Sequence, residues 1–470
     1  MQVYPLADID TKINGLIHQP KISISDSMRL IPNFIYQRIE HRHNLLKIIN
    51  NIGWLFFDKI LRMGVGVLVG VWIARYLGPE QFGLLSFATA FVGLFGAVAT
   101  LGLQGIVVRN ILQNSSGKEE ILGSAACLQL FAGAVTYIMI LIGIFILRPD
   151  DLISKMIVAI IGAMMLFKFS EIAIYWFEAQ VMSKYIVWVQ NISFLLFSVI
   201  KGALIFKNAP LSAFAWAILA EAMMVALLML AALSWRGLKL IELKVTRKKS
   251  YELLKDSWPL MLSSMAIMIY MKIDQIMIGQ MIGDQAVGIY TAATRISEVL
   301  YFLPTTLVAS VFPSILNVKM KSETLYKKHM QRLYDLMVWI SIAIALPMTF
   351  LATPLITLLF GSAYSEAGMV LAIHIWASIF VFLGVASNQW YLMMNRQTLI
   401  MQRTLIGAIV NVGLNLLLIP IYGVVGAAIA TVISYAIAVF FYDAIQKETR
   451  GIFFMKLSSM NLVSALKRCL

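Results

Sequence analysis

Leu77-Gly78-Pro79-Glu80-Gln81-Phe82-Gly83-Leu84 and Ile282-Gly283-Asp284-Gln285-Ala286-Val287-Gly288-Ile289 are the stretches whose reading decides the fold. Each closes an apolar run, turns on a glycine, passes an acidic or amide residue, and sets a second glycine at the start of a returning apolar run. Ala88 and Ala293 continue the same register, and Trp54 and Trp258 open the two runs. Glycine suits both places, because one stops a helix and the other lets two helices approach closely. The match predicts a chain built from two similar halves.

Working outward from these turns, segments of about 20 mostly apolar residues recur, each long enough to cross roughly 30 Å of hydrocarbon at 1.5 Å per residue. Twelve are expected: 54–77, 82–103, 121–147, 156–176, 185–206, 211–233, 259–281, 287–318, 336–360, 369–394, 399–419 and 424–442. The chain is 60% hydrophobic and only 13% charged, against about 45–50% and 25% in soluble domains. Soluble enzymes, nucleic-acid binders and secreted disulfide scaffolds are excluded. The expected fold class is all-α, a polytopic membrane protein whose twelve transmembrane helices form two six-helix bundles. Six is even, so both halves enter from the same side and are related by a pseudo-two-fold along the membrane normal. The expected units are an interfacial extension (1–50), an N-terminal bundle (51–235), a basic linker (236–256), a C-terminal bundle (257–445) and a basic tail (446–470).

The net charge is +14, from 38 Lys and Arg against 24 Asp and Glu. The bases gather before the first span, in Arg236 to Lys255, in Lys319 to Arg332 and in the tail, whereas the opposite connections carry Glu80, Asp150, Asp151, Asp284 and Glu366. The positive-inside rule then places both termini in the cytoplasm. Each exposed base there attracts anionic lipid by about 1 kcal/mol. Residues 1–26 read as disordered and 27–50 as an amphipathic interfacial helix, with no cleavable signal peptide; Met28 is an alternative start. Cys127 and Cys469 offer neither a disulfide framework nor a metal cluster.

No GxxxxGK[ST] loop occurs, since Gly117-Lys118 is followed by Glu119; the five histidines form no HExxH, and the outer connections are too short for a catalytic domain. An enzyme is not expected. Ionisable groups inside spans cost about 2.5–3.5 kcal/mol each and mark functional sites by default. The first span carries Asp58, Lys59 and Arg62, with Asp58 and Arg62 on one face. Lys272 and Asp274 precede the second glycine turn about as far as Arg295 follows it, so Asp274 and Arg295 should lie at similar depths with an ion pair available and Glu298 one turn below. Pro304 should kink the helix beside them.

One reading makes this cluster a cavity site whose Arg and Lys attract an anionic headgroup while Asp274 or Glu298 exchanges a coupling cation. The other makes it a static charge network. Lys168, Glu171, Lys201 and Glu221 are further candidates for cavity lining. Asn411 and Asn415 are expected to hydrogen-bond neighbouring helices, Gly66 and Gly70 to permit close helix contact, and only Trp216 and Trp376, of the tryptophans, to face a sugar.

The stretches from Asp58-Lys59-Ile60-Leu61-Arg62-Met63-Gly64 through Ala74-Arg75-Tyr76-Leu77-Gly78-Pro79-Glu80-Gln81-Phe82-Gly83, and from Lys272-Ile273-Asp274-Gln275-Ile276-Met277-Ile278-Gly279 to Arg295-Ile296-Ser297-Glu298, resemble the lipid-linked oligosaccharide (O-antigen type) flippases of bacterial polysaccharide biosynthesis. These belong to the multidrug, oligosaccharidyl-lipid and polysaccharide exporter superfamily. The resemblance covers about 45–445. It implies an exporter in the bacterial inner membrane that carries polyprenyl-pyrophosphate-linked oligosaccharide to the outer leaflet by alternating access. A glycan polymerase and glycosyltransferases of the same pathway would be its partners, and no cofactor is implied beyond a coupling H+ or Na+. A pyrophosphate is a concentrated anion, so Arg62, Lys272 and Arg295, with Lys59 and Lys168, form the expected anion site. Asp58, Asp274, Glu298 and Glu171 are the expected coupling or ion-pair carboxylates. The alternatives are a multidrug or cation antiporter of the same superfamily and a scaffold for a biosynthetic complex.

Overall fold

A computed structural model describes residues 43–114, 117–238, 240–319, 321–461 and 468. The expected disordered stretch and most of the amphipathic helix lie outside the described residues. Residues 43–57 are helical and belong to a unit separate from Asp58–Leu470.

Among the described residues every regular element is helical, and ten helical stretches are long and apolar enough to cross a membrane. Two of the ten are double. Asp58–Leu94 is broken at Gly78 (φ 72°, ψ 172°), and Gln397–Ile445 at Gly423 (φ 60°, ψ −140°), backbone conformations that favour glycine. Dividing both gives the twelve expected spans. The third to sixth spans are Lys118–Leu147, Leu152–Ala179, Ser183–Phe206 and Leu211–Trp235; the seventh to tenth are Arg247–Met281, Asp284–Phe312, Glu323–Phe360 and Ala367–Met393.

Several spans are interrupted where their chemistry is. The eighth breaks into Asp284–Val299 and Phe302–Lys319. Pro304 has no N–H for the carbonyl of Leu300, which is where the break falls. The fourth contains a nine-residue 3-10 segment, Ala163–Glu171. Residues three apart eclipse in that geometry, which sets Lys168 over Glu171. Gly133 of the third span makes room for it, because a Cβ there would strike the Met165 carbonyl.

The two quoted stretches pack against each other. A Cβ on Gly83 would strike the carbonyl of Asp284, and one on Gly288 would strike that of Pro79. Since Pro79 and Asp284 are equivalent in the match, this reciprocal contact is what a two-fold between repeats requires. We call this the turn end, and the opposite end, which carries 236–256, the basic end.

The apolar core is one piece at the turn end and two pieces at the basic end. A single cluster at the turn end joins Phe82, Phe87 and Phe214 of the first bundle to Val287, Tyr290 and Tyr364 of the second. At the basic end one cluster holds Leu103, Phe177, Leu233 and Leu253, and another holds Val308, Tyr334, Phe382 and Ile452. Lipid is as apolar as leucine, so these clusters hold by close packing rather than by transfer from water. Phe145, Ile146, Val199, Phe206, Phe350 and Leu358 remain exposed, as lipid-facing side chains should.

The seventh span straddles the halves. Near its start, Leu260 and Met261 press their backbones on Gly102, and Asp256 accepts a 2.6 Å bond from Arg109. Beyond the twelfth span the helix Arg450–Ser459 is pinned to the second bundle by Lys456, whose Nζ donates to Asp443 at 2.7 Å with both side chains fully buried. Burial pulls the Lys456 ammonium down to about 8, against the opposing pull of the Asp443 carboxylate.

Candidate functional site: a cationic cavity between the bundles

Between the bundles lies a cavity of about 770 Å³. The first span contributes one helical face to it, Arg62, Gly66, Val69, Gly70 and Ile73. Eight residues separate Arg62 from Gly70, about 12 Å along the axis. Arg295 of the eighth span reaches the cavity at the level of Gly70: any Cβ on Gly70 would strike the Arg295 guanidinium. A Cβ on Gly66 would meet only the Phe194 ring, at 3.8 Å. Gly66 and Gly70, expected to permit close helix contact, make room for side chains of the neighbouring helices rather than for their backbones.

Five cations line the cavity, Arg62, Lys168, Lys201, Lys272 and Arg295, against three carboxylates, Glu171, Glu221 and Glu298. Arg62 forms an ion pair with Asp58 at 2.9 Å and donates a hydrogen bond to Asn191 at 3.4 Å. Lys168 bonds Glu171 and Lys201 bonds Glu221, both at 2.7 Å, and Lys272 stands 4.0 Å from Glu298. Arg295 packs over the Phe82 ring at 5.1 Å and has no carboxylate within 4.0 Å among the described residues. Its side chain is accessible only because the cavity is there, and its N–H groups are open to a ligand.

The expected ion pair between Asp274 and Arg295 does not form. Asp274 is bonded instead by Asn415 Nδ2 at 2.5 Å and by the hydroxyls of Tyr290 and Thr431, each at 2.7 Å. Arg295 lies five residues after Tyr290, which turns it about 140° away around the helix. Equal depth did not mean a shared face. Asp274 occupies a separate small pocket with Tyr270, Tyr301, His374 and Tyr435; Gln275, Thr294 and Glu298 border both spaces.

Asn411 and Asn415 do bond across helices, to Ser434 at 3.5 Å and to Asp274. Lys59 is exposed and outside the cavity lining, one position round the helix from Asp58, and is corrected as an anion ligand. Trp216 is exposed away from the cavity, and Trp376 donates to Thr349 at 3.1 Å; neither lines it.

Sequence reasoning missed the residue that ties the bundles at the turn end. Arg148, at the end of the third span, forks onto Asp284 with bonds of 2.7 and 2.9 Å, donates to the Gly279 carbonyl at 3.2 Å, and stacks 3.9 Å over Phe87. Its nearest signal was a base standing on the acidic side of the charge alternation. Asp151 holds Arg148 from its own turn at 3.3 Å. Burial acts to raise the Asp151 carboxyl, but bonds from Ser154 and the charge of Arg148 hold it below the usual carboxylate value. Arg75 to the Leu358 carbonyl and Tyr364 to the Ala74 carbonyl, both at 2.8 Å, add two further ties at this end.

In sequence the chain is 25% identical over 82% of its length, and 80% of the relative's, to the probable low-salt glycan biosynthesis flippase Agl15 of Haloferax volcanii. In structure it resembles the lipid II flippase MurJ in an inward closed conformation, with a TM-score of 0.68 and 18% identity over 88% of this chain and 91% of that one. It also resembles the inward-facing conformation of a multidrug resistance MATE family transporter of the MOP superfamily, with a TM-score of 0.65 and 16% identity over 87% and 95%. These likenesses show a shared fold of two helical bundles. The profile described as polysaccharide biosynthesis protein matches residues 48–319, more than half of the chain, and the chain belongs to that family.

Proposed function

We propose that this protein is a membrane flippase that carries a polyprenyl-pyrophosphate-linked oligosaccharide across the bilayer for surface polysaccharide synthesis. The observation that carries the reading is Arg295, a guanidinium with no carboxylate within 4.0 Å among the described residues, inside a membrane-embedded cavity lined by five cations and three carboxylates. A pyrophosphate diester supplies the missing negative charge and accepts a forked pair of hydrogen bonds. A cationic drug would meet that charge head-on, which disfavours the antiporter reading. The family and the Agl15 relative point the same way.

The positive-inside rule makes the basic end cytoplasmic, with both termini there. The divided core at that end and the joined core at the turn end then correspond to a state open to the cytoplasm, with Arg148–Asp284 closing the outer side. Rocking the bundles apart at the turn end, which breaks the Gly83–Gly288 contact, and together at the basic end would exchange the two openings. The bacterial inner membrane belongs to this proposal by resemblance, while the relative is archaeal; a polymerase and glycosyltransferases are proposed as neighbours in the pathway.

Asp274 is the proposed coupling group. All three of its donors are neutral, so a buried negative charge there calls for a proton or Na+. The Asn415 Oδ1 beside it is a buried acceptor with no partner among the described residues. The test is complementation of a deletion strain. Arg295→Ala and Arg62→Ala should abolish polymer export at normal membrane levels, and lipid-linked oligosaccharide should accumulate on the cytoplasmic leaflet; wild-type export by both variants would contradict the reading.

A further inference from the structure

The two tightest ion pairs of the cavity, Lys168–Glu171 and Lys201–Glu221, both stand on the wall built by the fourth, fifth and sixth spans. Gln190, Ser198 and the Phe194 ring share that wall. Each pair is self-neutralised at 2.7 Å, so the wall carries little net charge while remaining rich in hydrogen-bonding capacity. A lysine ammonium has three donors and a carboxylate about four acceptor sites; one contact within the pair uses only one of each, and Glu171 accepts one further bond, from the Tyr175 hydroxyl at 3.2 Å. A sugar hydroxyl both donates and accepts, and so fits between the two members. A sugar carboxylate would instead compete for the lysine and leave Glu171 or Glu221, each only 23% exposed, without its cation, which is costly.

We infer that the wall of spans four to six is the glycan subsite, and that its two ion pairs select sugars without charge, bearing hydroxyl and acetamido groups, over uronic acids. The inference rests on the flippase reading and adds a division of labour to it. The phosphate is held from the second bundle by Arg295 and the sugar from the first bundle by Lys168–Glu171 and Lys201–Glu221. One substrate then bridges both moving bodies.

The full-length protein, purified in detergent, is titrated with three farnesyl pyrophosphates: bare, carrying a neutral disaccharide, and carrying a disaccharide with one uronic acid. Ratios of Kd are compared, because a ratio is insensitive to the fraction of folded protein. For the wild type the neutral glycolipid should bind about tenfold more tightly than the uronate one. Glu221→Gln leaves Lys201 without its carboxylate and should bring the ratio to one or reverse it. Joint replacement Lys201→Met with Glu221→Met should bring the neutral glycolipid close to the bare lipid. A wild-type ratio near one, or a ratio untouched by Glu221→Gln, overturns the subsite. Binding of the glycolipids without any binding of the bare lipid that depends on Arg295 overturns the phosphate assignment alone, and no binding of any of the three overturns both.

Discussion

Gly83 and Gly288 face each other backbone to backbone: a Cβ on Gly83 would stand 2.7 Å from the Gly288 nitrogen, and one on Gly288 would stand 3.2 Å from the Gly83 nitrogen. No side chain of the opposite bundle is flexible enough to yield there, because the obstacles are main chain. Overpacking of this kind costs about 1–3 kcal/mol, and it is charged only to the state in which the turn end is closed. Gly83→Ala or Gly288→Ala should therefore shift the population about tenfold toward opening at that end. With Cys127 and Cys469 replaced by serine, Thr291→Cys reports it: labelling by an impermeant maleimide from the turn-end side should rise.

Arg295→Ala removes charge-assisted hydrogen bonds worth about 1.5–3 kcal/mol. Affinity for a lipid pyrophosphate should fall by about tenfold to a hundredfold, with Arg295→Lys falling between. Isothermal titration of the purified protein measures it, and unchanged affinity in Arg295→Ala would remove the residue from the site.

The Arg148–Asp284 fork crosses between bundles with side chains only 10% and 18% exposed. Truncating one partner of such a pair costs about 3 kcal/mol, much of it from the stranded charge. Arg148→Ala should open the turn end more than Arg148→Ala with Asp284→Ala, and the same maleimide assay orders the two.

Asp151 predicts how this lock responds to acid. A carboxyl held below its unfolded value contributes stability above that value and loses it as pH falls through the folded one. The turn end should keep its closure through neutral pH and loosen only below about pH 4. Asp151→Asn should lessen that acid response.

Asp274→Asn keeps the shape of the hydrogen-bond cluster and removes its charge. Transport by this variant should lose its dependence on the proton or Na+ gradient, and Asn415→Ala should weaken the same dependence. Both are read in vesicles with each gradient imposed separately.

The turn glycines carried most of the fold, because Gly78 and Gly283 have positive φ and Gly83 and Gly288 touch main chain. These are demands that one residue type answers, so they are visible in sequence. Arg62, Lys168, Lys272, Arg295, Glu171 and Glu298 were legible as cavity groups because a charge inside a span needs a polar neighbour. Depth can be counted along a helix from a turn, but rotation about the axis accumulates error at 100° per residue. That is why Asp274 was paired with Arg295 rather than with Asn415 and Thr431, and why Lys59 was placed beside Arg62. Arg148 was invisible because its partner lies 136 positions away, across a bundle interface no local pattern records.

On the proposed function, an anionic lipid-linked glycan crosses the membrane past Arg295. The most direct measurement reconstitutes the protein in vesicles whose inner and outer leaflets hold a fluorescent lipid-pyrophosphate-linked disaccharide, and follows quenching by an added impermeant reductant. Wild-type vesicles should let the protected inner-leaflet label reach the reductant in a second, slow phase, and Arg295→Ala vesicles should show the outer-leaflet phase alone. An equal slow phase with Arg295→Ala, or none with the wild type, would rule out transport of the glycolipid past Arg295.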